Sequence, residues 1–120
     1  MNFTYNKHEK LKSKKAIEQL FSEGKSISAY PLRLVYLKNS HSLKVGVSTS
    51  KRNFKKAVYR IRVKRLLREA YRLNKQQLID KNITDYSIMI LYMNKEMPTF
   101  DTIDKLTKKA FSKLITQLEP

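Results

Sequence analysis

Apolar and polar positions along this chain recur with periods that name most of its elements. In residues 13–24, SKKAIEQLFSEG, the apolar Ile17, Leu20 and Phe21 fall at helical spacing behind a Ser N-cap, and Gly24 supplies the stop. That pattern predicts a short amphipathic helix. Two stretches rich in β-formers follow, YPLRLVYL at 30–37 and LKVGVST at 43–49, flanking the polar run KNSHS at 38–42. They read as a hairpin.

After a basic turn at 50–53, no Gly or Pro interrupts the chain until well past Arg72, and Ala, Leu, Arg, Lys and Glu dominate. A long second helix is expected there. The segment YSIMILYM at 86–93 is nearly all apolar and β-capable, as suits a strand in the centre of a sheet with both faces covered. Beyond Pro98, the residues Ile103, Leu106, Ala110, Leu114 and Leu118, joined by Phe111 and Ile115, recur at three and four positions with lysines between them. A third helix closes the series.

These elements predict an α+β fold, a single mixed β-sheet with three helices in the order α-β-β-(β)-α-β-α. Residues 1–120 read as one domain, of which 1–12 form a basic and flexible arm. Only two Gly and three Pro argue against linkers, and 41% hydrophobic residues suffice for a core.

Charge narrows the function. The chain holds 26 Lys and Arg against 10 Asp and Glu, a formal charge of +16. So small a domain tolerates this imbalance poorly unless a polyanion screens it, which favours nucleic acid as partner. A membrane is the rival, but the longest apolar run, 88–93, is far short of the roughly 20 residues that span a bilayer. Residues 1–15 carry Lys7, Lys10, Lys12, Lys14 and Lys15 and no apolar core of a secretory signal, so a cytoplasmic protein is expected. The absence of cysteine removes disulfides, thiolate catalysis and cysteine-ligated metals together.

Residues 51–72 concentrate the charge: Lys51, Arg52, Lys55, Lys56, Arg60, Arg62, Lys64, Arg65, Arg68 and Arg72 stand against the single acid Glu69. At 100° per residue, Tyr59, Val63, Leu66, Leu67, Ala70 and Leu73 share one side, with Arg65, Arg68 and Arg72 opposite. A merely solvated face mixes signs four residues apart, and one glutamate cannot do that here. Six of the seven arginines lie in this segment although lysine is far commoner overall, and the planar guanidinium suits bidentate phosphate contacts.

At this point the residues resemble a known family. KAVYRIRVKRLLREAYR at 56–72 is similar to the arginine-rich signature of the bacterial ribonuclease P protein, Ala-Val-x-Arg-Asn-Arg-x-Lys-Arg-x-x-Arg-Glu, with Ala57, Val58, Arg60, Arg62, Lys64, Arg65, Arg68 and Glu69 in register. The preceding Val45, Gly46, Val47 and Ser48 with Ser50, Lys51 and Arg52 look like the family's incoming strand, and residues 10–37 like its first helix and first long strand. Ile61 departs from the pattern, standing where the family has Asn, and the turn at 53–56 lacks the common Gly.

The resemblance implies a ribosomal protein S5 domain 2-like fold with a left-handed βαβ crossover. It implies a protein subunit that binds the catalytic RNA of ribonuclease P and the 5′ leader of precursor tRNA, while the RNA, with magnesium ions, cleaves the leader. No cofactor on the protein alone and no obligate protein partner are expected. Carried onto this chain, the RNA-binding residues are Lys51, Arg52, Lys56, Arg60, Arg62, Lys64, Arg65, Arg68 and Arg72, and the leader cleft is Ile17, Phe21, Arg33 and Val35. Phe21 is the stacking candidate, and for Ile17, Phe21 and Val35 plain core packing is the competing role.

A protein nuclease would need clustered carboxylates or a positioned histidine. His8 and His41 sit in the arm and in the polar run, and Asp80, Asp85, Asp101 and Asp104 sit where capping accounts for them, so no catalytic residue and no metal site are expected. The other function to be weighed is a general RNA-binding or ribosome-associated protein without a role in tRNA processing.

Overall fold

The structure, a computed structural model, describes residues 5, 9–40 and 42–119. The elements are α1 (Lys14–Glu23), β1 (Lys25–Ala29), β2 (Leu32–Lys38), β3 (Lys44–Thr49), α2 (Ala57–Ile79), β4 (Tyr86–Tyr92) and α3 (Phe100–Leu118). They form the predicted α+β architecture, with one mixed sheet of strand order β1-β2-β4-β3. As expected, β4 lies inside the sheet, antiparallel to β2 and parallel to β3. The parallel pair is joined through α2, the long connection that parallel strands require.

The expected hairpin of β2 with β3 does not form. The apolar β4 inserts between them and accepts a ladder on each edge. Residues 38–40 belong to that arrangement: Asn39 N–H donates to the Asp85 carbonyl at 2.8 Å. Its side-chain amide donates to Ser87 Oγ at 3.0 Å. The true hairpin lies one element earlier, where β1 pairs antiparallel with β2 across a turn containing the cis peptide Tyr30–Pro31.

Side-chain alternation sorts the sheet into two faces. Leu32, Leu34 and Tyr36 of β2 pair with Tyr92, Ile90 and Ile88 of β4. This face packs on Val63, Leu67, Ala70, Tyr71 and Leu78 of α2 and on Ile103, Ala110, Phe111 and Leu114 of α3. The other face carries Arg33, Val35 and Leu37 beside Leu91, Met89 and Ser87, with Ser48, Gly46 and Lys44 beyond them. There α1 covers only a small cluster, Leu11, Leu20, Val35 and Met89. Around that cluster Arg33 is exposed, and Leu37, Lys44, Ser48 and Leu91 are half-buried.

Gly24 does end α1, though by contact and not by a left-handed turn. Its φ is −72°, and a Cβ on it would stand 2.3 Å from the Leu20 carbonyl oxygen and 2.9 Å from that of Tyr36. Only hydrogen fits between helix end and strand.

The inward side of α2 also differs from the helical-wheel expectation. Val63, Leu67 and Ala70 are buried, but so are Tyr71, Asn74 and Lys75, whereas Tyr59 and Leu73 are exposed. The cause is the segment before α1. Tyr5 packs edge-on against Tyr71 with ring centroids 5.2 Å apart, and Glu9 pairs with Lys75. Leu11 N–H donates to the Val45 carbonyl at 3.2 Å, docking the segment beside β3. Of the arm expected to be flexible, residues 1–4 and 6–8, with His8, lie outside the described residues, as does His41; Tyr5 and residues 9–12 are part of the folded unit.

Candidate nucleic-acid interface

The basic face begins in the loop between β3 and α2. Ser50 holds it closed, its Oγ accepting from Asn53 N–H at 3.1 Å and its carbonyl from Phe54 N–H at 3.1 Å. Phe54 is buried and stacks on Tyr92 at 6.2 Å. Lys51 and Arg52 therefore project from a pinned turn and are exposed.

Lys56 is the N-cap of α2, whose first turn has neither a side-chain cap nor an acid. Unsatisfied N–H groups at a helix start attract anions, so this end adds to the positive field of the side chains around it. Arg62, Arg65 and Arg68 are exposed along the helix, and Lys64 is half-buried. Val58 and Ile61 lie exposed among them. The apolar Ile61 thus occupies the open surface.

Among the described residues, Lys56 lies over the Tyr59 ring, and two of the nine basic residues make side-chain hydrogen bonds within the protein. Arg60 Nη1 donates to the carbonyls of Phe54 at 2.7 Å and Lys55 at 2.8 Å. It locks the turn onto the helix. Arg72 grips Glu69 through both Nε and Nη2, and this contact holds the Glu69 carboxyl below the usual carboxylate range and raises Arg72.

Beside the basic face, a cleft of about 580 Å³ opens between α1, β3 and α2. Ile17 and Phe21 form one wall, Gly46, Ser48 and Met89 the floor, and Arg68 the far side. Phe21 is 50% exposed, a large ring left in the open. Tyr5 closes one end, its hydroxyl donating to the Val45 carbonyl and its pKa pushed up to about 12 by burial.

The four residues expected at the leader cleft separate. Ile17 and Phe21 line the cavity. Val35 lies beneath α1, buried with Leu20 and Met89. Arg33 is exposed further along the same face of β2, opposite Leu91 and Ser28, with Nη2 3.4 Å from Ser26 Oγ. Sequence reasoning passed over Gly46, Ser48 and Met89. Alternation along β3 and β4 would have put them on one face, had the two strands been known to be neighbours.

Among the described residues no group of three or more His, Asp or Glu gathers as a metal site. Asp80 accepts from Gln76, Asp85 pairs with Lys38, Asp101 with Lys105, and Asp104 with Lys108. Nor is any described helix long and apolar enough to cross a membrane.

Known proteins resemble this chain in sequence and in fold. The Porphyromonas gingivalis (strain W83) ribonuclease P protein component is 38% identical over 119 residues, covering 93% of this chain and 87% of that protein. The component from Clostridioides difficile is 38% identical over 107 residues, covering 87% and 90%. Among solved structures, the Staphylococcus aureus RNase P protein superposes with a TM-score of 0.74 at 18% identity, over 88% of this chain and 94% of that one. The Thermotoga maritima RNase P protein gives 0.71 at 23% identity, over 93% and 99%. These two likenesses establish the fold. The ribonuclease P family model matches residues 5–115, a span that takes in all four strands and most of α3, and the chain belongs to that family.

Proposed function

We propose that this chain is the protein subunit of a ribonuclease P ribonucleoprotein, holding the catalytic RNA on its basic helix and the 5′ leader of precursor tRNA in the cleft beside α1. Membership of the family carries a role in tRNA 5′-end processing alongside the ribonuclease P RNA. One observation supports the finer reading above others: Arg68 belongs both to the exposed basic side of α2 and to the wall of the cleft containing Phe21. A single strand leaving an RNA bound on α2 has an adjoining place to lie.

The division of labour follows from the side chains. Lys51, Arg52, Lys56, Arg62, Lys64, Arg65 and Arg68 meet phosphates of the catalytic RNA, with Arg60 and Arg72 shaping the surface they share. In the cleft, a base stacks on Phe21 with Ile17 against it. Such stacking contributes about 1–3 kcal/mol per base and tolerates any sequence, as a protein handling many leaders needs. Val35 supports the cleft from below and Arg33 attracts phosphate along the sheet. Hydrolysis and its magnesium ions belong to the RNA, and the complex works in the cytoplasm without another protein.

Reconstitution tests this reading. The protein added to its cognate catalytic RNA should raise precursor cleavage at low magnesium and favour precursor over mature tRNA, while the protein alone cleaves neither. A general RNA-binding or ribosome-associated protein would hold both tRNAs alike. No stimulation at any salt concentration would overturn the proposal.

A further inference from the structure

A second and larger cavity, about 850 Å³, lies on the other side of α1 from the Phe21 cleft. Lys10, Leu11 and Lys12 border both cavities, so the two adjoin at the start of α1. Their linings differ in kind. The first offers Phe21, Tyr5, Ile17 and Met89. Among the described residues, the second has neither an aromatic residue nor an acid on its walls, and four of the twelve that line it are lysines: Lys10, Lys12, Lys38 and Lys44.

The second cavity has a fixed polar wall. Asn39 is held by its backbone bond to Asp85 and its side-chain bonds to Ser42 and Ser87. Lys38 meets Asp85 only at 3.7 Å, with both side chains well exposed, 71% and 41%. Ion pairs of that sort are weak, and a phosphate can displace them. A volume of this size is within the range of built ligand sites, about 300–1,000 Å³. Its chemistry suits a sugar-phosphate chain, not a base.

We propose that this cavity is a second subsite for single-stranded RNA, taking the phosphodiester backbone of leader nucleotides that run on past the first cleft and around the start of α1. The inference rests on the assignment of the Phe21 cleft to the leader. Bases are held in the first cleft and phosphates in the second, neither of which depends on sequence.

The test uses holoenzyme reconstituted from the full chain and its catalytic RNA, with precursor tRNAs whose leaders are lengthened one nucleotide at a time. Wild-type affinity should rise as the first cleft fills and rise again as the strand reaches the lysines. Lys38→Gln/Lys44→Gln, which leaves the lining of the Phe21 cleft untouched, should keep the first rise and lose the second. Its salt slope for the longest leader should drop by roughly 0.7 per lost phosphate contact. Phe21→Ala should lose the first rise. Lys38→Gln alone, at an exposed position, is the milder variant and should lose part of the second rise.

If wild type discriminates precursor from mature tRNA yet the lysine variants follow its full length dependence, the second subsite is refuted and the first stands. If the variants bind catalytic RNA more weakly with leader dependence intact, the cavity serves that RNA and the leader assignment is wrong. If wild type itself ignores the leader, the reading of the first cleft falls, and this one with it.

Discussion

Lys75 Nζ stands 2.7 Å from Glu9 Oε1, with the lysine side chain 1% exposed and the glutamate 20%. A cation is thus set inside the layer of helices and held by a carboxylate from the segment before α1. Removing one partner of a buried pair leaves the other charge uncompensated. Glu9→Gln is expected to cost roughly 3 kcal/mol, the low end for such a loss because Glu9 retains some solvent. Adding Lys75→Met to it should recover most of that loss, since no charge is then stranded. Urea unfolding of the three proteins checks this; a Glu9→Gln protein as stable as wild type would show the pair to be dispensable.

Arg60 and Arg65 should separate folding from binding. Arg60 is committed to the Phe54 and Lys55 carbonyls, so Arg60→Ala should cost about 1.5–3 kcal/mol, as for hydrogen bonds of a charged donor. Arg65 is exposed, and Arg65→Ala should leave stability within about 0.5 kcal/mol. It should nonetheless weaken catalytic-RNA binding and lower the salt slope by roughly 0.7–0.9. Thermal unfolding beside a salt titration of affinity distinguishes the two; equal stability losses would contradict the assignment.

Phe21→Ala should reduce the preference for precursor over mature tRNA by about 1–3 kcal/mol, the worth of one stacked base. Phe21→Leu, which keeps an apolar side chain without the ring, should retain only a minor part. Competition binding of the two tRNAs to reconstituted holoenzyme reads this out. A leucine variant equal to wild type would mean that simple apolar contact suffices.

Acid should loosen the contact of α2 with α3. Asn74 donates to Asp104 Oδ1 at 2.7 Å, and this bond, with Lys108, keeps the carboxyl below its ordinary value. A depressed carboxylate contributes stability that is complete above its unfolded pKa, about 3.9, and is lost as pH falls through the lower folded value. Asp104→Asn should therefore be less stable than wild type at pH 7 but lose less between pH 4 and pH 2. Denaturant midpoints along that descent supply the measurement; parallel curves for the two proteins would exclude Asp104 as a source of acid sensitivity.

The helices were legible because each carries its own period. The spacing in 13–24 and beyond Pro98 marks α1 and α3, and the unbroken run after residue 53 marks α2. The central placement of β4 was legible too, since a strand apolar on both faces belongs inside a sheet. Pairing was not. Nothing in KNSHS reveals that it leads away from β2, and Lys25–Ala29 has too little apolar character to stand out as β1. Lys75 offered no sign of burial, because its partner Glu9 lies 66 positions away. The same distance effect hid half of the cleft: Phe21 could be read from helical spacing, whereas its floor is made by two strands separated by a whole helix.

That separation also governs when the binding surface comes into being. β2 and β3 are joined only through β4, which leaves the ribosome only after the entire arginine helix has been made. A nascent chain ending before Tyr86 has its charge but not its cleft, since Met89 and the ladder that aligns Gly46 are still missing. Closure of the sheet and completion of the Phe21 cleft therefore depend on the same strand.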